Sequence, residues 1–147
     1  MVKKRKGISI VEIVVALLII SLISLISIPM LANYQKTSKL KNEARLLATN
    51  LRLAQQLAIT EQNIYYVAFD FFSESYQIIN SKDSKIIKAI KFDSEVKIEE
   101  ISGFTDNKIQ FNSTGGVMET GHISLSNSKN DISTLQIRPS GYVEIID

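Results

Sequence analysis

The chain has 147 residues, 45% of them apolar and 22% charged, with a formal net charge of +2 and no cysteine. That length is ordinary for a single domain, and the missing cysteine excludes disulfides, a cysteine nucleophile and thiolate metal sites while leaving the compartment open. The net charge is deceptive: without Lys3, Lys4, Arg5 and Lys6, the other 13 basic residues face 15 acidic ones, a balance of −2 that argues against a dedicated basic groove for nucleic acid.

From Ile8 to Ile28 the only charge is Glu12. These 21 residues reach ~30 Å at ~1.5 Å each, about the thickness of one hydrocarbon core. The four positives ahead of them hold the N-terminus in the cytoplasm and send the remainder outward. A secretory signal peptide fits poorly, because the run is too long for its apolar core and Met30-Leu31-Ala32 does not match the cleavage pattern. A plain signal anchor explains everything except two residues. Gly7 joins the basic leader directly to the apolar run, and Glu12 places a carboxylate about one turn inside it. A charge in a spanning helix costs on the order of 2.5–3.5 kcal/mol even on lenient insertion scales. No side chain within the run can serve as its partner, so the partner comes from elsewhere.

Lys4-Arg5-Lys6-Gly7 followed by Ile8-Ser9-Ile10-Val11-Glu12 and a long apolar helix resembles the class III signal of type IV prepilins and type II secretion pseudopilins. The resemblance implies that a membrane-embedded prepilin peptidase cuts after Gly7 and that the new N-terminal residue, Ile8, is N-methylated. Counted from Ile8, Glu12 is the fifth residue and Pro29 the twenty-second, the places of the family's glutamate and of its frequent helix proline. Ile8 departs from the phenylalanine or methionine commoner there. Cleavage creates an α-ammonium at the start of the helix, and in a staggered bundle the Glu12 carboxylate of one subunit can meet that ammonium on its neighbour. Such a buried pair sets register, because a misplaced neighbour leaves a charge unpaired. Ser21, Ser24 and Ser27 form a small polar stripe suited to close helix contacts.

Beyond the membrane, Pro29 removes one backbone hydrogen bond and is expected to kink the helix without ending it. Ala44, Leu47, Ala48, Leu51, Ala54, Leu57 and Ala58 then recur at three- and four-residue spacing, with Arg45, Asn50, Arg52, Gln55 and Gln56 largely between them. This is an amphipathic helix whose small residues let a sheet approach closely. One helix is expected from about Ile8 to Thr60. From residue 63 the period becomes two, and segments 63–70, 75–80, 85–92, 95–101, 107–112, 122–126, 132–138 and 142–146 read as strands, separated by turn-forming Ser, Asp, Asn and Gly. The fold class is α+β: a long N-terminal helix on an antiparallel β-sheet head, divided into a leader (1–7), a membrane or filament-core helix (8–30), an amphipathic continuation (31–60) and the head (61–147).

Within the pilin-like group, the alanine- and leucine-rich helix ending in Ala58-Ile59, the segment Phe111-Asn112-Ser113-Thr114-Gly115 and the terminal pair around Ser140-Gly141 resemble the GspH/FimT minor pseudopilins. Chemistry is not legible. His122 stands alone, with no second histidine or cysteine to share a metal and no nucleophile motif before it, and Gly115-Gly116 reads as a turn. No catalytic residue, metal site or cofactor is expected. One branch of that family is associated with DNA uptake through basic residues near the C-terminus; here Gly141–Asp147 carries Glu144 and Asp147 and no base, which speaks against DNA contact there. Lys82, Lys85, Lys88 and Lys91 form a local basic cluster whose spacing alternates faces in a strand, as in a solvated surface. The resemblance implies a structural subunit of a type II secretion pseudopilus or related filament. It would be single-pass in the cytoplasmic membrane with its head outside, and its partners would be the prepilin peptidase, other pilin or pseudopilin subunits, the inner-membrane assembly platform and membrane lipid. The alternatives are a competence-type pilus subunit in DNA uptake and an uncleaved membrane-anchored extracellular domain.

Overall fold

A computed structural model describes residues 9–146. Its contacts divide the chain between Gln35 and Lys36, and one helix, α1 (Ile10–Thr60), runs through both units. The remaining elements all follow it: β1 (Tyr65–Asp70), β2 (Ser75–Asn80), β3 (Ile86–Lys91), β4 (Val96–Ser102), β5 (Lys108–Phe111), β6 (Gly121–Asn127), β7 (Ile132–Ile137) and β8 (Val143–Ile146).

Among the described residues of the first unit, nothing packs against α1. The large apolar side chains from Ile10 to Leu31 are exposed around the whole circumference. Helix formation here satisfies the backbone internally, and the polar side chains follow suit: Ser21 donates to the Leu17 carbonyl and Ser24 to that of Ile20, each at 2.8 Å. Such back-bonding spares a hydroxyl an unmet bond in an apolar medium. The helix continues through Pro29 as expected.

In the second unit α1 buries Leu40, Ala44, Leu47, Ala48, Leu51, Ala54 and Ala58. Each fully covered leucine on this stripe contributes about 1.5–3 kcal/mol. Against it lie two four-stranded antiparallel sheets, ordered β3-β2-β1-β5 and β4-β6-β7-β8. Alternation fixes their inner faces: Tyr65, Val67 and Phe69 of β1 and Tyr76 and Ile78 of β2 point inward, as do Ile123 and Leu125 of β6 and Leu135 and Ile137 of β7. All of these join one core with the helix stripe.

The eight strands fall within or beside the eight periodic segments, and the antiparallel head is present. Its division into two sheets is the addition. A period of two tells which side chains share a face but says nothing of which strand is the neighbour. The chain changes sheet three times, from β3 to β4, β4 to β5 and β5 to β6; at the second change it leaves β4 through Gly103, passes a short turn at Thr105–Asn107 with Asp106 and Asn107 in the left-handed region, and adds β5 beside β1. His122, placed by sequence at a strand start, lies one residue inside β6, a central strand.

Candidate functional site

Two features of the chain stand apart from the apolar core. The first is the apolar half of α1, a helix long and apolar enough to cross a membrane. A helix that is apolar all round is a buried or membrane-embedded one, and this half finds no cover within its own unit. Glu12 stands in its first turn, where the partial positive charge of the helix start favours a carboxylate. Ser9 supplies the turn, its carbonyl accepting the amides of Glu12 at 3.0 Å and Ile13 at 3.3 Å. Among the described residues none pairs with the Glu12 side chain. Gly7 and Ile8, the expected cleavage site, lie outside the described residues.

The second feature is a junction between α1 and two turns of the head. Asn112 accepts on its side-chain oxygen from the Thr114 amide at 3.0 Å, the Thr114 hydroxyl at 2.7 Å and the Gly116 amide at 3.0 Å, which fixes the 112–116 turn. Gly115 takes φ +86° and Gly141, in the β7–β8 turn, φ +78°. The Gln55 amide, from α1, donates to the carbonyls of both Gly115 (2.7 Å) and Ser140 (3.1 Å). A β-carbon on Gly141 would stand 2.2 Å from the Gly115 oxygen and 2.3 Å from the Gln55 nitrogen. The two segments singled out in the sequence therefore meet in space, joined by a helix residue that periodicity assigned only to the polar face. Arg52 does similar work, donating to the Val143 carbonyl at 3.2 Å.

Asn50 is the clearest departure. Sequence placed it between the core positions, yet it is only 2% exposed. Its amide nitrogen donates to the Tyr76 hydroxyl at 2.7 Å, and its oxygen accepts from the Lys88 ammonium at 3.0 Å. Burial, the largest cause, pushes the Tyr76 hydroxyl up to about 12. The signal lay in helical phase, since Asn50 sits three residues after Leu47 and four before Ala54.

Where the chain enters the head, charges tie α1 to the loops. Lys39 meets Asp93 at 3.1 Å, Lys36 meets Glu95 at 3.7 Å, and the Thr37 hydroxyl donates to Asp131 at 2.7 Å. The Glu95 amide, and then Lys39, hold the Asp93 carboxyl below its ordinary value; Asn127, and then Thr37, do the same for Asp131. Glu43 goes the other way, raised mainly by burial, with one side-chain oxygen buried and without a hydrogen bond.

His122 approaches Glu100 at 3.8 Å in a partly exposed pair. Among the described residues no three His, Cys, Asp or Glu side chains group as metal ligands would. Arg138, the base nearest the C-terminal end, is engaged with Glu144 at 2.6 Å.

An apolar helix stretch carrying a single acid, followed in the same helix by a stripe packed on antiparallel sheets, is a pilin-like arrangement. Solved structures that share the fold include the type IV minor pilin FimU of Pseudomonas aeruginosa (11% identity, TM-score 0.64, 78% of this chain and 92% of that one) and the minor pseudopilin EpsH of the Vibrio cholerae type II secretion system (13% identity, TM-score 0.61, 74% and 96%). The family model for type II transport protein GspH matches residues 43–141, and the chain belongs to that family. No curated protein matches.

Proposed function

We propose that the chain is a minor pseudopilin of a type II secretion pseudopilus or a closely related filament, made as a precursor and cut between Gly7 and Ile8 by a prepilin peptidase. The observation that carries this reading is Glu12, the one charge in an apolar helix and without a partner among the described residues. Before assembly the helix sits in the cytoplasmic membrane, its N-terminus inside and its head outside. After cleavage, the α-ammonium of Ile8, which the peptidase methylates, offers the missing counter-charge on a neighbouring copy or relative. Removing one member of a buried pair costs on the order of 3–5 kcal/mol, enough to reject a subunit in the wrong axial position. Residues 13–28 then form the filament core, and Pro29 bends the helix above it as the assembly platform lifts subunits out of the lipid. FimU and EpsH, a minor pilin and a minor pseudopilin by name, support a place in such a filament over a solitary membrane-anchored domain. DNA binding gains nothing from the C-terminal end, where Glu144 already neutralises Arg138.

The test is capture of co-assembled subunits from membranes with the wild-type chain and with Glu12→Val. Filament subunits should accompany the wild type, and their yield should fall at least tenfold with the variant while its leader is still removed. Equal capture removes Glu12 from the register.

A further inference from the structure

The head has four sheet edges, and they are not treated alike. Along β5, Phe111 bridges to Val117 and the Gln110 carbonyl accepts the Met118 amide. On β4, the Glu74 carboxylate takes the Ile98 amide at 2.8 Å. On β8, Arg52 of α1 occupies the Val143 carbonyl. Each of these edges spends at least one backbone group on the protein's own atoms. For β3, the backbone bonds among the described residues run only to β2 and its flanks, such as Asn80 to Lys85 and Phe92 to Glu74. Its outer edge is bare.

The side chains on that edge are equally uneven. Residues 85–91 read Lys-Ile-Ile-Lys-Ala-Ile-Lys, three lysines and no acid. Ile86 and Ile87 remain 53% and 40% exposed. They flank an irregularity in the pairing, where Ile78 faces Lys88 and Ile79 faces Ile86, leaving Ile87 as the extra residue. Lys36 and Lys39 of α1 and Lys108, Lys129 and Arg138 of the head have a carboxylate within 4.0 Å, while Lys97 on β4 has none among the described residues. Lys82, Lys85 and Lys91 have none among the described residues.

Lysines and a bulge are the usual protection of an edge against its own kind. Two copies brought together along β3 would set lysine-rich strands face to face, which is repulsive. The same array attracts a strand of opposite charge, and the exposed isoleucines give such a strand an apolar contact that pure protection does not need. We infer that β3 is the lateral docking edge of the head, and that its occupant is an extended, carboxylate-bearing segment of a different filament subunit, not a second copy of this chain. This rests on the reading of the chain as a filament subunit.

The experiment uses the full chain in membranes of cells producing its filament partners. A photo-crosslinking amino acid replaces Ile87 in one variant and Ile19, on the apolar helix, in another. The Ile87 probe should give one principal adduct to a different pilin-like subunit, mapping to a segment rich in Asp or Glu. Adding Lys85→Glu and Lys91→Glu should reduce that adduct about tenfold, corresponding to ~1.4 kcal/mol, while the Ile19 adducts persist. An adduct to a second copy, an adduct on an acid-poor segment, indifference to charge reversal, or no Ile87 adduct while Ile19 still crosslinks would each overturn the docking edge. Loss of the Ile19 adducts in the otherwise unaltered chain would instead overturn the filament reading on which the inference rests.

Discussion

Gln55 and Gly115 are joined across 60 residues by a 2.7 Å hydrogen bond, from the side-chain amide of the one to the backbone carbonyl of the other. The same amide reaches Ser140, so a single helix side chain fastens both the 112–116 turn and the β7–β8 turn to α1. The 112–116 turn follows β5 of the first sheet and the β7–β8 turn belongs to the second, so this one side chain ties both sheets to the helix in addition to the shared core.

Gly141→Ala should be strongly destabilising. The added carbon meets the Gly115 oxygen and the Gln55 nitrogen at once, and φ is positive. Strain of this kind costs on the order of 1–3 kcal/mol before the clash is counted, so thermal unfolding of the detergent-solubilised chain should shift down by several degrees. Gln55→Ala should lose less, about 1–2 kcal/mol, because two carbonyls give up one donor. Equal stability of the Gly141 variant and the wild type would contradict the packing described.

Asn50→Ala strands the buried Tyr76 hydroxyl and frees Lys88, and a cost of about 1–3 kcal/mol is expected. Tyr76→Phe removes the hydroxyl itself. In the double variant the penalties should combine to less than their sum, by about 0.5 kcal/mol or more, since the pair shares one bond. Urea unfolding of the two single variants and the double variant measures this; strict additivity would mean the two groups do not interact.

The head should show two opposed responses to acid. Glu43 has a folded pKa above its ordinary 4.5, so its ionised form weakens the fold at neutral pH. That penalty is relieved as pH falls through the raised value toward 4.5. Asp93 and Asp131 have folded values below their ordinary 3.8; the stability they give is full above that and lost as pH falls below it. Stability should therefore rise slightly on mild acidification and then drop. Glu43→Gln should flatten the rise and leave the drop, as thermal melts across pH 3–7 would show.

Much of this architecture was legible in the order of residues. The change from helical to alternating period after Thr60 marks the end of α1, and Tyr65, Val67 and Phe69, or Ile123 and Leu125, point inward as alternation requires. What escaped is what depends on distant partners. Asn50 and Gln55 are polar letters on a helix, and only the arrival of Tyr76, Lys88, Gly115 and Ser140 makes the first a core residue and the second a clasp. Lys88 was grouped with its neighbours as solvated surface, yet the strand turns it toward Asn50. The pairing of β5 with β1 across some forty residues had no local signal at all. The apolar half of α1 behaves differently, because it is long and apolar enough to cross a membrane and a lone Glu12 is conspicuous there in any register.

The central claim concerns a carboxylate waiting for an amine that processing must create. Intact-mass measurement and N-terminal sequencing of the chain extracted from its native membrane address it directly. The account predicts a mature protein starting at Ile8 and carrying one added methyl group, and an unprocessed precursor for Gly7→Val. A wild-type chain that retains Lys3 to Gly7, or a Gly7→Val chain trimmed at the same bond, would contradict it.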